Sequence, residues 1–142
     1  MFDQLVNLNN LPGKGSIYKR QFDNGSTILA YPNLTSPAVY FRGYLPVGSL
    51  SDPAGKTGLA NFTSAMLSTG TIQNDFRSLH LKIESCGASI SISAGSLSTV
   101  FGGQCLKEDL PLILNLLLEM LSEPAFPQDH FERVKNQLLT MI

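Results

Sequence analysis

The stretch Ser89-Ile90-Ser91-Ile92-Ser93 alternates hydroxyl and aliphatic side chains without a break. Successive side chains of a strand point to opposite faces, so every isoleucine falls on one side and every serine on the other. This is the pattern of a half-buried strand. Such a strand needs neighbours in a sheet and a core against its isoleucine side.

The flanking segments supply both. Residues 16–22 and 27–31 read as strands around Asp23-Asn24-Gly25-Ser26. Asn-Gly between two such runs predicts a hairpin with a type I′ turn, both central residues at positive φ. Residues 38–47, with Val39, Tyr40, Phe41 and Tyr44, read as a third strand. After a turn at 51–56, a helix follows over 58–71, with Thr57 as N-cap and Gly70 as C-terminal stop. A second helix is expected over 75–86, with Phe76, Leu79, Ile83 and Cys86 as its core stripe and Gly87 ending it. Beyond the alternating strand, residues 96–105 form another, in which Gly102-Gly103 marks a bulge or a close backbone approach. Asp109 and Pro111 open a helix to Leu121 that is apolar on most sides and so expected to be buried. Phe126-Pro127 starts a last helix, with Phe131, Val134, Leu138 and Ile142 as a core stripe. The expected fold class is α+β, an antiparallel sheet with helices packed on one face, in the order β-β-β-α-α-β-β-α-α.

Composition removes several function classes. Hydrophobic residues make up 43% and charged residues 15% of the 142, and the net charge is −1. That balance gives no general attraction to nucleic acid or to an acidic membrane. The most apolar run, residues 110–121, is interrupted by Asn115 and Glu119 and is too short to span a bilayer. Two cysteines, Cys86 and Cys105, are too few for a disulfide scaffold and are read as free thiols. No export signal is visible at the N-terminus, which points to a cytoplasmic protein, with an organelle as the open alternative.

On a helical wheel, Leu59, Phe62, Thr63, Met66 and Leu67 share one side of the 58–71 helix. Asn61, Ser64, Ala65 and Ser68 share the other. A small, uncharged polar face is unusual, because exposed helix faces normally carry Lys, Glu or Arg. Around these residues the text Gly58-Leu59-Ala60-Asn61-Phe62-Thr63-Ser64-Ala65-Met66-Leu67-Ser68-Thr69-Gly70-Thr71 resembles the pitrilysin/insulinase family of zinc peptidases. That family's inverted motif His-x-x-Glu-His lies in a similar frame. Gly58, Leu59, Ala60, Met66, Leu67, Gly70 and Thr71 keep the frame. Asn61 and Ala65 stand where the resemblance implies two zinc-binding histidines, and Ser64 where it implies the general base. Residues 87–101, 105–111 and 126–139 are similar to further family segments, so the likeness runs from about residue 16 onward.

The resemblance implies a third zinc ligand, a Glu, near Thr140 or Met141, where no carboxylate is found. The reading is therefore a catalytically degenerate member with no catalytic residue, no metal ligand and no cofactor of its own, zinc belonging to active family members. Residues 1–142 would form one truncated N-terminal domain with residues 1–15 as a lead-in loop. The implied role is a structural or peptide-binding half of a peptidase chamber. Its partner would be an active family subunit or the chain's own missing C-terminal half, giving a dimer in the full-length protein, with no nucleic acid and no membrane as partner. The resemblance also implies that an extended peptide could add as a strand beside Ser89, Ile90, Ser91, Ile92 and Ser93. Two alternatives stay open: an active metallopeptidase or processing-protease subunit whose catalytic residues lie in a partner or a missing segment, and a peptide-binding, chaperone-like module. Other side chains carry less. His80, Glu84 and Cys86 on one helix form a possible metal trio but are better explained as a solvated pair and a core thiol. His130 and Glu132 suit the start of a helix, and Lys19-Arg20 is a surface pair.

Overall fold

The structure is a computed structural model that describes residues 16–140. The lead-in expected at 1–15 and the core role expected of Ile142 lie outside the described residues. The chain divides into two compact units, residues 1–36 and 37–142. In the first, β1 (Tyr18–Gln21) and β2 (Thr27–Ala30) form an antiparallel two-stranded sheet. Its turn is not type I′. Gly25 alone takes positive φ, at 83°, while Asn24 does not. The Gly25 N–H donates to the Phe22 carbonyl, and the Asn24 side-chain oxygen accepts from the Ser26 N–H. The asparagine thus contributes an acceptor rather than a left-handed backbone, and the glycine alone reverses the chain.

The second unit contains β3 (Ala38–Leu45), α1 (Leu59–Met66), α2 (Phe76–Ser85), β4 (Ser89–Ala94), β5 (Thr99–Leu106), α3 (Leu110–Ser122) and α4 (Gln128–Leu139), with a 3₁₀ turn at Ser49–Ser51. Its sheet is antiparallel with order β3-β5-β4, so the chain's most alternating strand is an edge. Register places Val39, Phe41, Phe101, Cys105, Ile90 and Ile92 on one face. Against that face pack Leu79 and Ile83 of α2 and Ile113, Leu116 and Met120 of α3. The helices therefore cover one face of the sheet, as the alternation in β4 requires. The pairing of β3 with β5 runs through Gly102 and Gly103 without a bulge. A Cβ on Gly102 would lie 2.8 Å from the Phe41 carbonyl oxygen, so the glycines serve close backbone approach.

Several local expectations change. Among the residues of α3, only Ile113, Leu116, Leu117 and Met120 are buried, while Leu112, Leu114 and Leu118 are exposed. A single three-stranded layer covers one side of this helix, so its all-round apolarity is not matched by all-round burial. Phe76 leaves the core stripe of α2 and is 37% exposed. The end of α2 is set as expected. Gly87 takes φ 58° and donates to the Glu84 carbonyl, and Ala88 donates to that of Ile83, the paired bonds of a Schellman cap. α1 stops at Met66, before Gly70, whose φ of 139° serves a bridge to Asp75 instead.

A buried polar network holds the segment after α1. The Glu119 carboxylate of α3 accepts from the Thr71 hydroxyl at 3.1 Å and the Asn74 side-chain amide at 2.7 Å. Thr71 Oγ1 in turn accepts from the Asn74 N–H, and Lys82 donates to Asn74 Oδ1. Asn74 is 4% exposed, so without Glu119 its amide would be left in a poorly hydrated site. Glu119→Ala is expected to cost about 2 kcal/mol of stability and Glu119→Gln less, since it keeps one acceptor oxygen. Urea denaturation of both variants checks the order.

Candidate functional site

α1 has eight residues and opens at Gly58 in a left-handed conformation, φ 93°, with no capping bond from its own cap residue. Thr57 does not fill that role. Asp52 does, from across the 53–57 turn, since its carboxylate accepts from the Gly58 N–H at 2.8 Å and the Ala60 N–H at 2.9 Å. Two charge-assisted bonds satisfy two of the donors that a helix start leaves open. The middle of α1 is held by packing. Phe62 meets Phe131 of α4 edge-on, with ring centroids 4.7 Å apart.

The three positions of interest fare differently. Asn61 is exposed, Ala65 half-buried and Ser64 buried. The Ser64 hydroxyl donates to the Asn61 carbonyl at 2.9 Å and accepts from the Ala94 N–H of β4 at 3.2 Å. The small polar side of α1 is thus partly an interior contact, whereas Leu59, from the apolar side, is exposed. Ser68 Oγ donates to the Ala65 carbonyl.

The Ser64 contact lies on the free edge of the sheet. Gly95 donates to the Ser98 carbonyl across the β4–β5 turn, which makes that pair a hydrogen-bonded one. In an antiparallel ladder such pairs alternate. Ser93, Ser91 and Ser89 therefore bond towards β5, and the backbone groups of Ile90, Ile92 and Ala94 point outward. Ser64 takes the last of these N–H groups. The substrate-strand candidates Ser89, Ile90, Ser91, Ile92 and Ser93 are thus an outer strand, with the serines on the exposed face and the isoleucines half-buried on the core side.

Zinc asks for three or four nitrogen, carboxylate or thiolate donors in tetrahedral geometry. A carboxamide, a hydroxyl committed to two backbone partners and a methyl group do not fit it. Thr140 directs its hydroxyl to the Gln137 carbonyl at 2.7 Å, and Met141 lies outside the described residues. Among the described residues no group of three or more His, Cys, Asp or Glu side chains could hold a metal ion. His80, Glu84 and Cys86 are not brought together as a trio. His80 Nε2 lies 3.0 Å from the Ser68 carbonyl oxygen, and its ring lies tilted against Phe76 with centroids 4.3 Å apart. His130 lies tilted against the same phenyl ring with centroids 4.8 Å apart, and Arg133 donates to its Nδ1. Glu132 pairs with Lys135, and Arg20 lies over Phe22. Burial raises the Cys86 thiol above its ordinary value of 9.0, helped by a hydrogen bond with Asp109. Burial also raises Cys105, with the Asp109 charge as the second cause. Both cysteines are free thiols, and neither is tuned towards a nucleophilic thiolate.

Sequence reasoning missed Asp52 and the Ser64–Ala94 bond. Asp52 acts across a loop of undetermined path, and a serine in a helix gives no sign of reaching a strand thirty residues away. Asp52→Ala is expected to cost about 1–2 kcal/mol, read as a lower urea midpoint with unchanged slope, and Asp52→Asn less.

An α+β layer with an eight-residue helix closing the end of an edge strand defines the class of domain. The family model described as "Insulinase (Peptidase family M16)" matches residues 28–142, and the chain belongs to that family. It is 25% identical over 118 residues to the Mitochondrial-processing peptidase subunit beta of Saccharomyces cerevisiae, covering 82% of this chain and 25% of the relative. It is 28% identical over 119 residues to Protease 3 of Escherichia coli K12, covering 82% of this chain and 12% of the relative. The chain thus spans a quarter or less of the length of these relatives. Among solved structures, a peptidase M16 inactive domain from Pseudomonas fluorescens is similar with a TM-score of 0.80 and 26% identity, covering 87% of this chain and 30% of that one. Pitrilysin is similar with a TM-score of 0.76 and 26% identity, covering 88% of this chain and 14% of that one.

Proposed function

We propose that this chain is a non-catalytic member of its peptidase family, serving as a structural or peptide-binding half of a peptidase chamber. The observation that carries the reading is Ser64. Its hydroxyl bridges the Asn61 carbonyl and the Ala94 N–H, so the position that would hold a general base instead ties α1 to the sheet. A serine so placed, with no acid or imidazole bonded to it, has no activated form. The flanking positions Asn61 and Ala65 offer no imidazole. The likeness to a structure titled as an inactive domain of the same family supports the reading.

The proposed partner is an active family subunit or the second half of the same protein, joined as a dimer in the full-length form. The likeness to a processing-peptidase subunit supports a role as one part of an assembly. No described helix is long and apolar enough to cross a membrane. The reading keeps a cytoplasmic location, with a mitochondrial one as the alternative that this relative suggests.

A second reading has its own observation. The outward backbone groups of Ile90 and Ile92 form a short open edge, and an extended peptide can add to such an edge through main-chain hydrogen bonds whatever its side chains. In that case the domain binds peptides without cutting them.

Metal analysis of the purified protein after dialysis against zinc, combined with a peptide-cleavage assay with and without chelator, tests the main reading. The expected result is sub-stoichiometric zinc and no chelator-sensitive cleavage. Stoichiometric zinc with cleavage abolished by chelator would overturn it.

A further inference from the structure

The face of the β3-β5-β4 sheet turned away from the helices carries Tyr40, Arg42 and Tyr44 from β3, Val100, Gly102 and Gln104 from β5, and the three serines of β4. None of these positions is acidic, and Arg42 is their one charge. Tyr40 is 75% exposed and Tyr44 63%. Tyr40 and Tyr44 lie four residues apart on one strand and flank Arg42 on the same face, and exposed tyrosines supply contact area at low cost in conformational entropy.

Between Arg42 and the serines the face dips into a trough of ≈ 450 Å³ whose walls include Arg42, Ser91, Ser93 and Val100. The dip exists because Gly102 has no side chain, and close approach of the Phe41 carbonyl keeps it that way. The chemistry around the trough runs one way. The Arg42 guanidinium lies 5.8 Å from the Tyr44 ring centroid and has no ion pair among the described residues. Ser91 Oγ makes one long bond, 3.4 Å, to the Gly102 carbonyl. The Ser93, Tyr40 and Tyr44 hydroxyls donate to nothing among the described residues. Guanidinium and hydroxyl groups together are donors in search of an anion, and a planar guanidinium matches a carboxylate in a two-bond fork.

We propose that this sheet face docks an acidic, extended segment of a partner protein, with a carboxylate seated on Arg42 beside the Ser91 and Ser93 hydroxyls and the neighbouring chain lying across Tyr40 and Tyr44. Charge complementarity selects the occupant. A basic segment would meet an unpaired cation, and an uncharged one would leave it unpaired. The site is separate from α1 and does not depend on whether zinc binds there.

The test is a fluorescence-anisotropy titration with a labelled Glu-rich peptide lacking Lys and Arg, and with its counterpart carrying Gln for every Glu. The expected result is binding of the Glu peptide that weakens with salt and is at least about tenfold weaker in Arg42→Glu, corresponding to about 1.4 kcal/mol, with Arg42→Lys intermediate. Arg42 is exposed, so an unchanged circular dichroism spectrum shows that these variants fold. Equal binding of the two peptides, binding of neither, or an affinity indifferent to Arg42→Glu would overturn the proposal. So would protection of Tyr40 and Tyr44 from hydroxyl-radical footprinting in the full-length protein without peptide, because the face would then be covered by the protein itself. None of these outcomes bears on zinc content, so failure here and failure of the non-catalytic reading are distinguishable.

Discussion

An eight-residue helix is too short to hold itself in water, where isolated helices below about 12–15 residues are marginal. Everything about the candidate site therefore rests on what grips α1 from outside. Asp52 supplies the start through the Gly58 and Ala60 N–H groups. Phe131 supplies a ring against Phe62. Ser64 supplies the tie to the sheet, through the Ala94 N–H. The first two grips leave the helix free to carry any chemistry on its remaining side. The third uses that side of the helix as an anchor.

The same tie shapes the edge of the sheet. Edge strands expose a row of unpaired backbone groups, and proteins cover or shorten that row. In β4 the row consists of Ile90, Ile92 and Ala94, and the helix covers only its last member. An open edge two residues long remains beside the site. Below the sheet, the isoleucines of β4 and the aromatic and aliphatic residues of β3 and β5 meet α2 and α3. Above it, Gly102 and Arg42 give the opposite face its trough and its charge. One strand pairing, β3 with β5, thus sets the core on one side and the proposed docking surface on the other.

The features legible in the sequence were those that local periodicity or backbone chemistry dictates. Strict alternation in Ser89–Ser93 predicted a half-buried strand, and the structure has it, with the serines exposed and the isoleucines half-buried. Gly87 predicted the end of α2 because only a residue at ease with positive φ closes a Schellman cap. The family frame around Asn61, Ser64 and Ala65 predicted the fold, which the solved relatives share. What stayed hidden was set by contacts distant in sequence. Asp52 caps a helix that begins after an intervening turn, Glu119 satisfies Thr71 and Asn74 from another helix, and Ser64 reaches β4. The expected burial of α3 failed for a related reason, since apolar pattern states what a helix could bury and not how many layers are there to bury it. The hairpin shows a finer limit, because Asn-Gly marked the turn but not which of the two residues would adopt positive φ.

Ser64 is thus the anchor between α1 and the edge of β4, not an idle remnant. Site-resolved hydrogen exchange of the Ala94 amide tests it directly. If the claim holds, this amide is protected in the native chain and loses protection in Ser64→Ala while the Ser91 and Ser93 amides, bonded to β5, keep theirs. An Ala94 amide that exchanges at the rate of an unprotected edge group in the native chain, or that is equally protected with and without the Ser64 hydroxyl, would contradict it.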